Sequence, residues 1–279
     1  MSESASEFTT GRYLYCVVTV DDETATGEQL ARTGVDDEPV YLVVEDDLGA
    51  VVHTCDALYD AADPDVVRKW LLDHQATIDA AGERFGTPLP FQFDTILTGD
   101  DDRVREWLTE ESATLTPHLD TLADHWEYRV EVSRDDAVLD EDLAADDDRL
   151  AELVDRIESA GEGTAHLLET QYEQRLDELR HERQAERTRE LAERLDPLAS
   201  EIRELSPERT TTLDDEDRAN DTSQDDSERT TQARVSLLAH ESDAEAIGDT
   251  LDEVAAESGV EVRFTGPWPP YTFAPTFDE

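Results

Sequence analysis

Apolar and polar positions change period several times along the 279-residue chain, and each change marks an element. Tyr13-Leu14-Tyr15-Cys16-Val17-Val18-Thr19-Val20 is apolar, aromatic and β-branched almost throughout, which predicts a buried strand. Residues 40–44 predict a second strand and residues 50–55 a third. Asp46, Asp47 and Gly49 between them supply turn chemistry, so the pair reads as a hairpin. Asp63-Pro64 opens a helix, with Asp as cap and Pro in the first turn. Val66, Val67, Trp70, Leu71, His74 and Ile78 recur along it at helical spacing, and Gly82 is its expected stop. In T-P-L-P-F-Q-F-D-T-I-L, residues 87–97, Phe91, Phe93 and Thr95 alternate with polar neighbours. That predicts a strand whose prolines confine it to an edge or kink its entry. Asp100-Asp101-Asp102 places negative charge at the start of another helix, where the macrodipole favours it. Its buried side carries Val104, Trp107, Leu108, Leu115, Leu119 and Leu122, and residues 126–132 then alternate as a strand.

The second half is more helical. Residues 149–159 predict a helix that Gly161 and Gly163 break, and a long helical segment covers 164–205. Leu168, Tyr172, Leu176 and Leu179 form one apolar stripe on it, while residues 180–190 are almost wholly polar. Leu191, Leu195, Leu198, Ile202 and Leu205 keep the 4-3-4-3 spacing of a coiled-coil seam, interrupted at Asp196-Pro197. Two stripes around a polar middle predict a helical hairpin or a protruding arm; a single surface helix on a sheet is the plainer alternative. Residues 206–232 are rich in Asp, Glu, Ser and Thr and are expected to be a disordered insertion. Residues 233–238 predict a strand, 243–258 a helix ended by Gly259, and 260–264 a last strand. That strand runs straight into G-P-W-P-P-Y-T-F. Trp268, Tyr271 and Phe273 there need an apolar receiver, either the protein's own sheet or a partner.

The fold class is therefore α+β in two domains. The N-terminal order β-ββ-α-β-α-β, less one hairpin strand, approximates the split βαβ pattern of ferredoxin-like domains. The expected boundaries are a disordered lead-in at 1–10, an N-terminal domain at 11–135, an acidic linker at 136–148 and a C-terminal domain at 149–275.

Charge then limits the partners. There are 72 acidic residues against 23 basic ones, a formal net charge of −49, and Lys69 is the sole lysine. Nucleic acid and anionic membranes repel such a surface. Acid in this excess, with lysine nearly absent, fits a protein made for a salt-in halophile. The polar N-terminus and the lack of any long apolar run predict a soluble cytoplasmic protein, in which Cys16 and Cys55 are buried free thiols.

No catalytic constellation emerges. The seven histidines are scattered, and His118 with His125 gives two imidazoles without a third ligand. Phosphate-binding glycine loops and a nucleophile elbow are missing. Carboxylate pairs are so common here that they single out no acid–base dyad. The expectation is no catalytic residue, no metal and no cofactor. A carboxylate-dependent hydrolase and an unrelated adaptor are the rival classes.

F-T-G-P-W-P-P-Y-T-F, residues 264–273, resembles the C-terminal motif of the gas vesicle protein F/L family. Other landmarks follow in order: the opening strand at Tyr13-Leu14-Tyr15, P-L-P-F-Q-F-D-T-I-L at 88–97, and G-T-A-H-L-L-E at 163–169. Gln92 and Asp94 stand where the family often has Arg and Gly. The likeness spans 11–275, and the length and acidity are those of the longer haloarchaeal branch. It implies two ferredoxin-like domains, the second carrying a coiled-coil arm. It also implies a non-enzymatic accessory protein, at the gas vesicle, that binds the small hydrophobic shell protein and other accessory proteins. Phe91, Phe93, Leu191, Leu195, Leu198, Ile202, Trp268, Tyr271 and Phe273 are the candidate structural or partner contacts.

The charge yields a first prediction. Molar salt shrinks the screening length to about 3 Å and so removes most self-repulsion. Far-UV circular dichroism should show loss of structure as KCl falls from molar to millimolar; an unchanged spectrum and melting temperature would refute it.

Overall fold

The computed structural model describes residues 10–21, 23–205 and 229–276, apart from the Glu162 side chain. Most of the expected lead-in (1–9) and of the expected insertion (206–228) lie outside the described residues. The chain divides into two compact units. Unit 1 holds described residues 10–127 and 266–276; unit 2 holds 128–205 and 229–265. Both mix helix and sheet, and each has its own sheet.

Unit 1 is built around β1 (Gly11–Thr19), of which only Thr19 is exposed. Such a strand must be covered on both faces. Its sheet also contains β2 (Gln29–Thr33), β3 (Pro39–Glu45), β4 (Leu48–Cys55), β5 (Leu89–Pro90) and β6 (Ile96–Thr98). The order is β2-β3-β4-β1-β5, with β6 also on β1, and the pairings are antiparallel. The expected hairpin is present: Glu45 faces Leu48 across Asp46-Asp47, and Asp46 adopts the positive φ that a tight turn requires. Cys16 and Cys55 are free and buried.

Helix α1 (Pro64–Phe85) starts where Asp63 caps the Asp65 N–H, as the sequence predicts. It does not stop at Gly82 but runs to Phe85, with Gly86 as cap at φ 86°. Gly82 serves packing instead: a Cβ there would lie 2.9 Å from the Trp126 ring. The strand expected at 87–97 is two short pieces, β5 and β6, because prolines punctuate its start and Asp94 turns at φ 64°. Helix α2 (Asp101–Leu122) is capped by Asp100. Asp101 accepts from Arg12 Nε at 2.6 Å and from the Tyr41 hydroxyl at 2.9 Å, fastening α2 to β1 and β3.

The split βαβ pattern expected of the N-terminal half is not the arrangement found. No long strand separates α1 from α2, and β7 (His125–Asp135), expected as its last strand, pairs in the other sheet.

Unit 2 continues from β7 through α3 (Asp136–Asp146), α4 (Asp148–Ser159) and α5 (Glu162–Leu195). It then adds β8 (Glu201–Glu204), β9 (Arg229–His240), α6 (Ala244–Ala255) and β10 (Val260–Trp268). Its strand order is β10-β7-β9-β8. The expected acidic linker at 136–148 is mostly helix α3: the Asp135 side chain caps the Val138 N–H and Leu139 is buried. Residues 229–232, expected within the insertion, are the first residues of β9.

The expected seam also changes. Leu191 and Leu195 are buried on α5, but Pro197 follows and the chain makes a 3-10 turn through Leu198. Ile202 lies on β8, opposite Leu237. The 4-3-4-3 spacing thus runs across a helix, a turn and a strand, and no coiled coil extends through it. The polar stretch at 180–190, with Arg175 just before it, makes ion pairs to other elements. Arg175 reaches Asp147 at 2.8 Å, Arg180 reaches Asp140 at 2.7 Å, and Arg187, 8% exposed, reaches Glu257 at 2.8 Å. These pairs tie α5 to α3, to the cap of α4 and to the segment following α6.

Candidate functional site

The site begins with an accounting problem. Tyr13 and Tyr15 are wholly buried on β1, and a buried hydroxyl without a partner costs about 1–3 kcal/mol. Two histidines supply the partners. Tyr13 Oη lies 2.9 Å from His74 Nδ1 on α1, and Tyr15 Oη lies 2.7 Å from His53 Nδ1 on β4. Each hydroxyl also accepts a backbone N–H, from Asp94 at 3.0 Å and from Val35 at 2.8 Å.

These contacts set the tautomers. His74 Nε2 faces the Phe91 carbonyl at 3.2 Å, which can only accept, so Nε2 carries the proton. Tyr13 then donates to Nδ1. At His53 both nitrogens face hydroxyls; Tyr15, which already accepts from Val35, directs its own proton to Nδ1, and that choice leaves Nε2–H to donate to the Tyr59 hydroxyl at 2.8 Å. Burial holds both imidazoles neutral and pushes each down to about 4; nearby His74 lowers His53 further, while the Phe91 carbonyl partly opposes the shift at His74. Around them, Tyr13 stacks on His53 at 4.8 Å, Phe93 packs edge-on to Tyr13 at 6.1 Å, and Tyr59 meets Trp70 at 5.2 Å.

The C-terminal tail joins this unit. Gly266, at φ 127°, occupies backbone space that favours glycine. Tyr271 packs against the same core and donates to Gln75 Oε1 at 3.2 Å. Thr272 grips Glu127, its N–H donating to Oε2 at 2.8 Å and its hydroxyl to Oε1 at 2.7 Å. Glu127 is 0% exposed and Phe273 5%. A carboxylate taken fully out of water needs such bonds.

The candidate contacts therefore separate. Phe93 and Tyr271 come together on the core of unit 1. Phe91 is buried and packs on Trp107 at 5.7 Å. Phe273 is buried at the tail's 3-10 turn and Trp268 is half-buried at the end of β10. Leu191, Leu195, Leu198 and Ile202 lie in unit 2. Sequence reasoning missed His53, His74, Tyr59 and Glu127. One signal was available: Tyr13 and Tyr15 are two apart on a strand, and His53 is the cross-strand partner of Tyr13.

This arrangement does structural chemistry. Both imidazoles spend their nitrogens on internal bonds. Among the described residues, no group of three or more His, Cys, Asp or Glu could hold a metal ion, and no helix is long and apolar enough to cross a membrane.

Comparison with known proteins agrees in one direction. The family described as "Gas vesicle synthesis protein GvpL/GvpF" matches residues 11–275. Gas vesicle protein L1 of Halobacterium salinarum is 45% identical over 266 residues, covering 95% of this chain and 90% of that protein. Gas vesicle protein L of Haloferax mediterranei is 39% identical over 293 residues, covering 96% and 88%. The crystal structure of the gas vesicle protein GvpF from Anabaena sp. PCC7120 superimposes with a TM-score of 0.74 at 18% identity, covering 97% of this chain and 100% of that one, a likeness of fold.

Two predictions follow from this geometry. Phe273→Ala should cost about 3–5 kcal/mol, and Thr272→Val, which keeps the shape but removes the hydroxyl donor, about 1–3 kcal/mol. Denaturant melts in molar KCl measure both, and parent-like midpoints would show that the tail does not close unit 1. The histidines give the second. Between about pH 6.5 and 4 the unfolded chain binds protons that the folded chain refuses, so stability is complete above that window and falls with pH inside it, by up to about 3 kcal/mol per histidine. The double variant His53→Gln/His74→Gln should show a shallower loss over the same window. Imidazole nitrogen shifts of the parent should report Nε2–H for both rings; a Nδ1–H signal would contradict the bonding scheme.

Proposed function

Because the chain belongs to the GvpL/GvpF family of gas vesicle synthesis proteins, we propose that it serves gas vesicle assembly as a non-enzymatic accessory protein. In this reading it binds the hydrophobic shell protein and other accessory proteins, works in the cytoplasm, and needs no cofactor. The observation that carries the reading is the family match over residues 11–275. The histidine–tyrosine network is in keeping with it, since the two imidazoles of the core, His53 and His74, spend their ring nitrogens on internal bonds.

The physical task is to keep an apolar shell subunit from associating with itself too early. A partner that covers an apolar face lowers the free concentration of the aggregation-prone form by mass action. An acidic, well-hydrated body keeps such a complex in solution at high salt.

Within this reading, Phe91, Phe93, Tyr271, Phe273, Leu191 and Leu195 hold the two units in shape rather than touch partners, which their burial or core packing supports. Trp268, Leu198 and Ile202, half-buried, are assigned the same role. Unit 2 is read as ferredoxin-like. Its four strands lie in the order fourth-first-third-second, with helices in the connections after the first and third, which supports that reading.

Pull-down in molar KCl with the tagged full chain tests the proposal. The shell protein and at least one further accessory protein should be retained. If chain of native circular dichroism retains none of them, the proposed function is wrong.

A further inference from the structure

The start of α1 carries apolar side chains that reach solvent beside a core-packed tryptophan. Val66 is 37% exposed. One turn on, Trp70 lies on the same side of the helix and is only half-buried. Leu58, 41% exposed, precedes Tyr59 in the loop whose ring meets Trp70 at 5.2 Å. The platform is rigid. Tyr59 is held at its hydroxyl by His53 and at its backbone N–H by Asp94 Oδ1 at 3.0 Å. Trp70 is half-buried, one side packed on the core, and its support is already in place, so a partner meets little ordering cost there. Tryptophan on such a platform is a frequent binding anchor.

The rim is mostly acidic, with Arg68 and Lys69 as exposed cations on the same turns of α1. Asp56, Asp60, Asp63 and Asp65 are exposed around the patch in sequence. Asp36, Glu38 and Asp94 lie close enough to act electrostatically on the Tyr59 phenol. The lone lysine, Lys69, is engaged by Asp73 at 2.8 Å and by Asp37 at 3.5 Å.

We propose that Leu58, Val66 and Trp70 form a docking site for a basic amphipathic helix, whose apolar stripe covers them and whose Arg or Lys side chains meet the surrounding aspartates. Charge complementarity selects this occupant. A second copy of this chain would bring the same acidic rim and be repelled. An added strand needs a row of open backbone groups, whereas this patch belongs to a helical turn and a loop and offers side chains. Salt divides the labour. At molar ionic strength only contact pairs survive screening, so the apolar anchors carry affinity and the guanidinium–carboxylate contacts set selectivity.

The proposal stands on unit 1 alone and does not depend on the gas vesicle reading, so either can fail without the other. The probe is a labelled synthetic helix with leucine along one face and arginine along the other. It is titrated into the full chain in molar KCl and followed by fluorescence anisotropy. A second probe carries glutamate in place of arginine. The leucine–arginine helix should bind saturably and the leucine–glutamate helix at least about tenfold more weakly. Leu58→Asp/Val66→Asp should weaken the first probe by at least about tenfold. Leu72→Asp, 52% exposed on another side of α1, should leave it unchanged. All three side chains are exposed, so circular dichroism should match the parent, and Asp60→Arg/Asp65→Arg should narrow the preference between probes without touching the apolar patch. No binding of the leucine–arginine helix, equal binding of both probes, or equal effects of the patch and Leu72 variants would overturn the proposal.

Discussion

The structure of unit 1 depends on the need to satisfy two phenol hydroxyls at the centre of a strand buried on both faces. Tyr13 and Tyr15 cannot reach water, and each must donate its proton and is placed to accept another. Meeting that need fixes the position of α1 through His74, the tautomer of His53 on β4, the turn at Val35 and the irregular run from Phe91 to Asp94. A short stretch of β1 therefore sets constraints on four other places in the chain. In a low-dielectric core such a network is stabilising only while complete. Burial keeps both histidines neutral, and a second proton on either ring would also set an Nδ1–H against a hydroxyl whose own proton points at that nitrogen.

Scarcity of cations imposes a second economy. With 23 basic residues against 72 acidic ones, there are too few cations to pair the carboxylates one for one, and surplus charge is left to solvent salt. The arginines that matter are placed between elements. Arg12 ties β1 to the first turn of α2 in unit 1. Arg175, Arg180 and Arg187 bind α5 to three other segments of unit 2. Contact pairs survive molar salt where long-range attraction does not, so this distribution suits a chain whose overall charge works against compactness.

How much was legible in the sequence follows from what each element needs. β1, the β3–β4 hairpin, α1, α2 and α6 announce themselves through periodicity and caps, because local chemistry decides them. β5 and β6 were read as one strand because alternation at Phe91 and Phe93 says nothing of the turn at Asp94. α3 hid inside an acidic run, since only Val138, Leu139 and a cap by Asp135 mark it. The seam through Leu198 and Ile202 kept a helical spacing over residues that are a turn and a strand, and Pro197 was the stronger signal. The partners of the tail could not be read at all: Glu127 is one acid among 72 until the fold buries it.

That burial explains why an acidic protein finishes in aromatics and prolines. Unit 1 is not complete in its own first 127 residues. Glu127 is buried, and two of its bonds come from Thr272, 145 residues later. Tyr271 arrives with it and reaches Gln75 from 196 residues away. Closing so long a loop costs entropy that grows slowly with length but is paid whole. Three prolines among residues 267–270 reduce what remains to be ordered by limiting the unfolded conformations of the segment itself. The aromatic rings then gain apolar burial, and the carboxylate gains the bonds its desolvation demands. A nascent N-terminal half therefore lacks the tail's rings and the two Thr272 bonds to Glu127 until residues 271–273 are made. The tail is the segment whose arrival turns a sheet with two helices into a closed unit.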